Sequence, residues 1–184
     1  MKAIVFLADG FEECEGLIVV DILRRAGAET IMASAMDKLL IDSSRHIKVQ
    51  ADVMAADIDF DKVDLIVLPG GRLGTENLGK NTIVVDKCKS FATSAADKYV
   101  AAICAAPSLL ADIGLLEGRR ATCHPDFTVS MKEAVLREES VVVSGNLTTG
   151  QGLGAAFPFA FELVRQLAGG DKVRQIKEAI CYRE

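Results

Sequence analysis

A chain of 184 residues, half of them apolar and none of them Trp, can bury a full core without metals or disulfides and suits one domain spanning residues 1–184. Its formal charge of −5, from 26 acidic against 21 basic residues with no sustained run of either sign, argues against nucleic acid or a membrane surface as partner. The five cysteines (Cys14, Cys88, Cys104, Cys123, Cys181) are odd in number, scattered and without a C-x-x-C pair, which fits reduced thiols in a cytoplasm better than a disulfide framework or zinc.

Along the chain, short apolar runs alternate with helical patterns. Residues 2–8, KAIVFLA, form a buried strand that stops at Asp9-Gly10, and the run is too short for a signal-peptide core. Residues 13–26 read as a helix, with Arg24 and Arg25 in its last turn and Gly27 as the stop. A second strand covers 28–34, and 38–53 reads as a β excursion through 39–41 and 47–50. The next strand, 64–71, closes on Pro69-Gly70-Gly71. Helix is expected over 81–96, strand over 99–103, helix over 105–112, a last central strand over 140–145, and helices over 154–168 and 172–182. Strands this apolar, separated by helices, imply a doubly wound α/β domain whose mainly parallel sheet is covered on both faces. Ligands of such sheets bind beyond the carboxyl ends of the strands. Three features fall at those ends: residues 10–15, Pro69-Gly70-Gly71, and Cys104.

Around Cys104 the order Ala102-Ile103-Cys104-Ala105-Ala106 places small residues two before and two after the thiol. This is the spacing of a nucleophile elbow, a tight strand-to-helix turn that lifts its central side chain clear of the sheet. The following helix, with Pro107 near its start, would aim free N–H groups and its dipole at the sulfur and favour thiolate. Such a thiolate is nucleophilic and also oxidisable. The bland alternative is a small buried hydrophobe, as most unpaired cysteines are. Cys14, Cys88 and Cys181 lack this setting and read as structural.

A nucleophile needs a proton partner and a place for developing negative charge. His124, in A-T-C-H-P-D-F, would serve as acid or base, or simply cap a turn. His46, beside Arg45 in a polar stretch, reads as solvent-facing. Backbone N–H groups at Gly70 and Gly71, joined by that of Ala105, offer an oxyanion site, although Gly-Gly after a strand is also an ordinary turn. Glu12, Glu13 and Glu15 open the first helix, where carboxylates commonly stabilise the dipole. One of them, buried beside the thiol, would have its pKa raised enough to hold a proton.

These residues fall in ordered motifs: F-L-A-D-G-F-E-E-C-E with V-D-I-L-R-R-A-G, D-L-I-V-L-P-G-G, A-A-I-C-A-A-P, T-C-H-P and V-V-S-G. In them the chain resembles the ThiJ/PfpI superfamily, most closely its parkinsonism-associated deglycase branch, over nearly its whole length. The resemblance implies a flavodoxin-like homodimer with Cys104 at the elbow, Glu15 as a protonated carboxylate contacting the sulfur, and His124 as the site histidine. It also implies Gly71 and Ala105 as backbone donors, Arg45 near both site and dimer interface, and Asp21 with Arg25 as a buried polar pair there. The branch commonly has C-A-G-P where this chain has C-A-A-P, and G-P-G-T where it has T-T-G-Q-G-L-G. The intracellular peptidase-like branch and the larger glyoxalase chaperones place histidine directly after the cysteine; Ala105 stands there, which disfavours a Cys-His-acid hydrolase.

The reading that follows is a cofactor-independent glyoxalase or deglycase, in which the Cys104 thiolate adds to a small α-oxoaldehyde or its early adduct and Glu15, aided by His124, moves protons. A redox-responsive, oxidative-stress protein or chaperone sensing through Cys104 is the alternative from a different class. An amidase or peptidase ranks below both, and nothing in the residues speaks for thiamine biosynthesis. The segment Gly150-x-Gly-x-Gly154 has neither the spacing nor the following acidic strand end of a dinucleotide fingerprint. No cofactor or metal is expected.

Overall fold

Five of the six side chains of β1 (Lys2–Leu7) are buried, because the strand lies inside a sheet covered on both faces. The computed structural model describes residues 1–94 and 98–183. After β1 come α1 (Glu13–Arg25), β2 (Glu29–Ser34), the hairpin of β3 (Leu40–Asp42) and β4 (Lys48–Gln50), and the two-residue β5 (Val53–Met54). Next are β6 (Leu65–Leu68), α2 (Arg72–Lys80), α3 (Thr82–Ala92), β7 (Tyr99–Ile103) and α4 (Ala106–Asp112). The last part holds the short β8 (Arg120–Ala121) and β9 (Val135–Leu136), then β10 (Val141–Ser144), β11 (Leu147–Gly150), α5 (Ala156–Ala168) and α6 (Gly170–Ala179).

The main sheet runs β10-β11-β7-β6-β1-β2-β5, and every pair in it is parallel except β10 with β11. It is a flavodoxin-like, doubly wound α/β sheet. Alternate β1 side chains divide the core: Ala3, Val5 and Leu7 pack with α1, α5 and α6, while Ile4 and Phe6 pack with α3 and α4. Chain order reverses beside β1, since β2 lies on one side of it and β6 on the other. The crevice at that reversal opens onto the loops that follow β1 and β6.

Several elements depart from the sequence expectation. Helix α2 was not anticipated, because R-L-G-T-E-N-L-G-K carries two glycines and little apolar periodicity. Gly74 is there for close approach: a Cβ on it would lie 2.6 Å from the Phe11 backbone. The expected last central strand is an edge strand, β10, antiparallel to β11. The position beside β7 belongs to β11, whose polar sequence L-T-T-G conceals four buried residues. Helix α3 ends at Ala92, and the expected last residues of that helix, 95 and 96, lie outside the described residues. Helix α6 starts two residues early and ends three early. Among the described residues, no helix is long and apolar enough to cross a membrane.

Candidate active site

Cys104 has φ of +65°, a left-handed backbone that a non-glycine residue adopts at a cost and that marks a functional site when the surroundings enforce it. Two hydrogen bonds enforce it here. The Cys104 N–H donates to Gly150 O on β11 (2.9 Å), and the His124 N–H donates to Cys104 O (2.9 Å). The elbow expected from small flanking residues is therefore present in the backbone: β7 enters it, and Ala105 and Ala106, both fully buried, leave it into α4.

Glu15, in the first turn of α1, is 1% exposed and reaches under the elbow. Its Oε2 accepts the Gly70 N–H at 2.9 Å. Its Oε1 is buried with no hydrogen-bond partner of full geometry among the described residues, and the neighbouring Cys104 side chain is the group that interacts with the carboxyl. Burial pushes Glu15 up to about 7, against the pull of Cys104 and of the Gly70 N–H. Gly70 must be glycine for this approach. A Cβ on it would lie 2.5 Å from Glu15 Oε2 and 2.6 Å from Cys104 Cβ.

Burial and the Glu15 carboxylate push the Cys104 thiol up, to about 12, while the N–H groups of Gly71 and Ala105 pull it down. This corrects the expectation that the helix dipole decides the matter: seven-residue α4 cannot outweigh desolvation plus a neighbouring anion. The two groups form one coupled acid that gives up its first proton near 7 and keeps a single proton above that. With the proton on Glu15, the repulsion disappears, the carboxyl becomes a donor, and the two backbone N–H groups remain to favour thiolate.

Gly71 has φ of +87°, and a Cβ on it would strike Gly10 O, so its N–H is held at the sulfur by a conformation natural to glycine. Gly70, grouped with Gly71 as an oxyanion donor in the sequence reading, gives its N–H to Glu15 instead. His124 lines the same pocket with 43% of its side chain exposed. Its Nδ1 accepts the Asp126 N–H at 3.3 Å, which leaves the proton of the neutral ring on Nε2. Arg45 also reaches the pocket, on the turn between β3 and β4. That turn is tied to α1: Ser44 Oγ lies 2.7 Å from Glu12 Oε2 and 3.2 Å from Glu13 Oε2, and Ser44 N–H donates to Phe11 O (2.8 Å). His46 is 88% exposed and outside the site.

The resulting pocket is a cavity of about 650 Å³. Glu12, Pro125, Ser140 and residues 151–155 complete its wall, and of these Ser140, Gln151, Leu153 and Ala155 are not singled out by the sequence. The one signal for them was the departing segment T-T-G-Q-G-L-G, which supplies Gln151 and Leu153. Asp21 and Arg25 do pair, at 2.7 Å, but on the exposed outer face of α1 in the single chain, where the resemblance implied burial. Cys14 and Cys181 are exposed surface thiols, and Cys88 and Cys123 are buried. No group of three or more His, Cys, Asp or Glu among the described residues is arranged to hold a metal ion.

A flavodoxin-like sheet carrying a cysteine on a left-handed elbow, with a buried glutamic acid beneath it, defines the class of cysteine-elbow α/β proteins. Within that class the chain belongs to the DJ-1/PfpI family, whose pattern residues 1–166 match. It is 34% identical over 181 residues to Protein dj-1beta of Drosophila melanogaster, covering 97% of this chain and 96% of that protein. The crystal structure of Drosophila DJ-1beta matches it with a TM-score of 0.94 over 100% of this chain and 98% of that one. Oxidized Toxoplasma gondii DJ-1 matches with a TM-score of 0.92 at 31% identity, over 100% and 99% of the two chains. The glutathione-independent glyoxalase DJR-1.2 of Caenorhabditis elegans is 28% identical over 172 residues, covering 92% of this chain and 90% of that protein.

Proposed function

We propose that the protein is a cysteine-dependent glyoxalase of deglycase type, acting on small α-oxoaldehydes or their early adducts on amines and thiols. The observation that carries this reading is the coupled Cys104–Glu15 pair, whose first ionisation lies near neutrality and beside two backbone N–H donors. The Cys104 thiolate adds to the aldehyde carbon, and the Glu15 proton passes to the new alkoxide, giving a neutral hemithioacetal. The Glu15 carboxylate then removes the proton on that carbon and returns it to the adjacent one, which converts the hemithioacetal into a thioester of a 2-hydroxy acid. Water cleaves the thioester and restores the thiol; no electrons leave the substrate, so no redox partner is required. His124, with its proton on Nε2, assists as a donor to the developing oxygen charge. The 28% identical relative named as a glutathione-independent glyoxalase supports this chemistry. Five free thiols support a cytoplasmic setting. Apolar side chains exposed on α1 (Leu17), on the β3–β4 hairpin (Leu40, Ile47) and near the start of α5 (Leu153, Phe157) support a homodimer.

The test is turnover of methylglyoxal without glutathione, with lactate as the detected product, in wild type, Cys104→Ser and Glu15→Gln. Lactate from wild type alone is expected; lactate from Cys104→Ser at the wild-type rate overturns the reading. A second reading, redox sensing, is favoured by the same donors, since the Gly71 and Ala105 N–H groups and a protonated Glu15 would equally hold a Cys104 sulfinate. Mass spectrometry after mild peroxide separates it: oxygen should enter at Cys104 ahead of exposed Cys14 and Cys181, and equal oxidation of all five thiols excludes it.

A further inference from the structure

The segment that carries His124 is poorly held on its outer side. After His124, residues Pro125–Met131 form 3₁₀ turns in which Pro125, Asp126, Thr128, Val129 and Ser130 are all exposed. Its anchor at the far end is the buried Met131. Near the pocket, the only apolar side chain of the segment that packs inward is Phe127, half-buried against the α3/α4 core.

Phe127 makes two ring contacts. The His124 ring meets it edge-on, with centroids 6.4 Å apart and planes at 75°, and the Phe127 N–H donates to His124 O at 2.9 Å. The Arg72 guanidinium lies 4.7 Å from the Phe127 centroid, inside the range of a cation–π contact. Arg72 is the first residue of α2 and directly follows Gly71, which donates to the Cys104 sulfur. The stack therefore joins the loop after β6, which supplies the oxyanion donor, to the loop after β8, which supplies the histidine. Neither loop is otherwise tied to the other by a side-chain hydrogen bond or ion pair among the described residues.

We infer that Arg72 is a positioning residue, which clamps Phe127 and thereby fixes the His124 ring over the Cys104 pocket. Arg72 is not among the residues that line the Cys104 pocket; it acts through Phe127. The consequence for turnover rests on the proposed role of His124, but the clamp itself does not. Because the chain has only two histidines, their ring protons can be read separately by NMR, with exposed His46 as an internal reference.

The experiment follows those resonances in wild type, Arg72→Ala, Arg72→Lys and Phe127→Leu. In wild type the Phe127 ring current displaces the His124 signals from those of His46. Phe127→Leu removes the displacement, Arg72→Ala reduces it with His46 and the thermal midpoint unchanged, and Arg72→Lys, which keeps a cation but not a planar group, restores it in part. In the methylglyoxal assay, Arg72→Ala should lower kcat about two- to five-fold, the scale of an exposed cation–π contact, with KM unchanged. Adding Arg72→Ala to Phe127→Leu should cost nothing further. His124 signals that stay in place in Arg72→Ala overturn the clamp, as do effects of the two substitutions that simply add. If wild type makes no lactate, the glyoxalase reading falls while the resonance measurement still decides the clamp.

Discussion

Glu13 and Glu15 stand two residues apart in the first turn of α1, both closed to solvent, yet their acidities move in opposite directions. Glu15 is pushed up to about 7 by burial; Glu13 is held below the ordinary carboxylate range although burial opposes it. Depth and donors together make the difference. Glu13 is covered by its immediate neighbours and lies near the surface, where Ser43, Ser44, its own N–H and the backbone of Arg45 hydrogen-bond to it. Glu15 lies deeper, and only the Gly70 N–H and the Cys104 side chain stand against its burial. Loss of solvent exposure alone thus does not set acidity; how deep the charge lies and how many donors are aimed at it do. The same turn yields a structural anion that fastens the Arg45 loop and a carboxyl poised to trade a proton with a thiol.

Exchanging each carboxylate for its amide should break this symmetry most visibly in turnover. Glu15→Gln keeps the shape and the Gly70 contact but cannot carry a proton, so lactate formation should fall by about 10²–10⁴-fold, the range of general acid–base catalysis. Glu13→Gln should change kcat by less than about tenfold, because it removes an anchor and leaves the Cys104–Glu15 pair intact. Steady-state kinetics on both variants checks this, and equal losses would falsify the division of labour. The pH profile sharpens it. Below about 7 the pair holds two protons, and the thiolate form is lost about tenfold per pH unit. Wild-type kcat/KM should therefore rise with pH to a plateau just above 7 and stay level through pH 9, since the second proton leaves only near 12. A profile that is flat between pH 5 and 8 rules out the shared proton.

Which of the two glutamates matters was only half legible in the sequence. Small residues around Cys104 and the P-G-G turn are local signals, and they lead to the elbow and to Gly71 because strand-end geometry follows from nearby side-chain size; the parallel sheet is legible separately, in apolar strands that alternate with helical patterns. Choosing among Glu12, Glu13 and Glu15 required resemblance, since all three satisfy the same helix-dipole pattern. The role of Gly70 is not legible locally for a related reason: its N–H is as free as that of Gly71 in sequence, and only the fold brings Glu15 beneath it. The polar strand β11 escaped notice because Thr148 and Thr149 bury hydroxyls that bond across the fold, to Gln166 (2.8 Å) and to the Thr122 N–H (2.9 Å). The Arg72–Phe127 stack joins residues 55 positions apart, beyond any local pattern.

Stability should show the two carboxylates with opposite signs. Glu15 is more acidic in the unfolded chain, at 4.5, than in the fold, at about 7. Its penalty is therefore absent below pH 4.5, grows as pH rises from 4.5 to 7, and is complete above 7. Removing it, Glu15→Gln should be more stable than wild type by about 3 kcal/mol at pH 8, with the two converging near pH 4. Glu13, depressed in the fold, contributes stability above its unfolded pKa that is lost as pH falls. Glu13→Gln should accordingly be less stable than wild type at pH 8, with the gap closing in acid. Urea unfolding at several pH values decides both, and a Glu15→Gln variant less stable than wild type at pH 8 removes the argument that burial sets the acidity of Glu15.

Gly70→Ala tests whether the close approach of Glu15 and Cys104 is imposed by the loop after β6. The added methyl meets Glu15 Oε2 at 2.5 Å and Cys104 Cβ at 2.6 Å, and neither can retreat: the glutamate is anchored in α1 and the cysteine in a left-handed elbow. The expected cost is about 1–3 kcal/mol of stability, the usual scale of overpacking. The methyl also pries the carboxyl from the sulfur, so the thiol loses the neighbouring anion that helps to push its pKa up, while the Gly71 and Ala105 N–H groups stay in place. Alkylation of Cys104 by iodoacetamide, read by mass spectrometry at pH 7.5, should quicken in Gly70→Ala and remain at the wild-type rate in Glu13→Gln. Unchanged alkylation in Gly70→Ala would mean that burial alone holds the thiol up, and the contrast between the two glutamates would then concern stability alone.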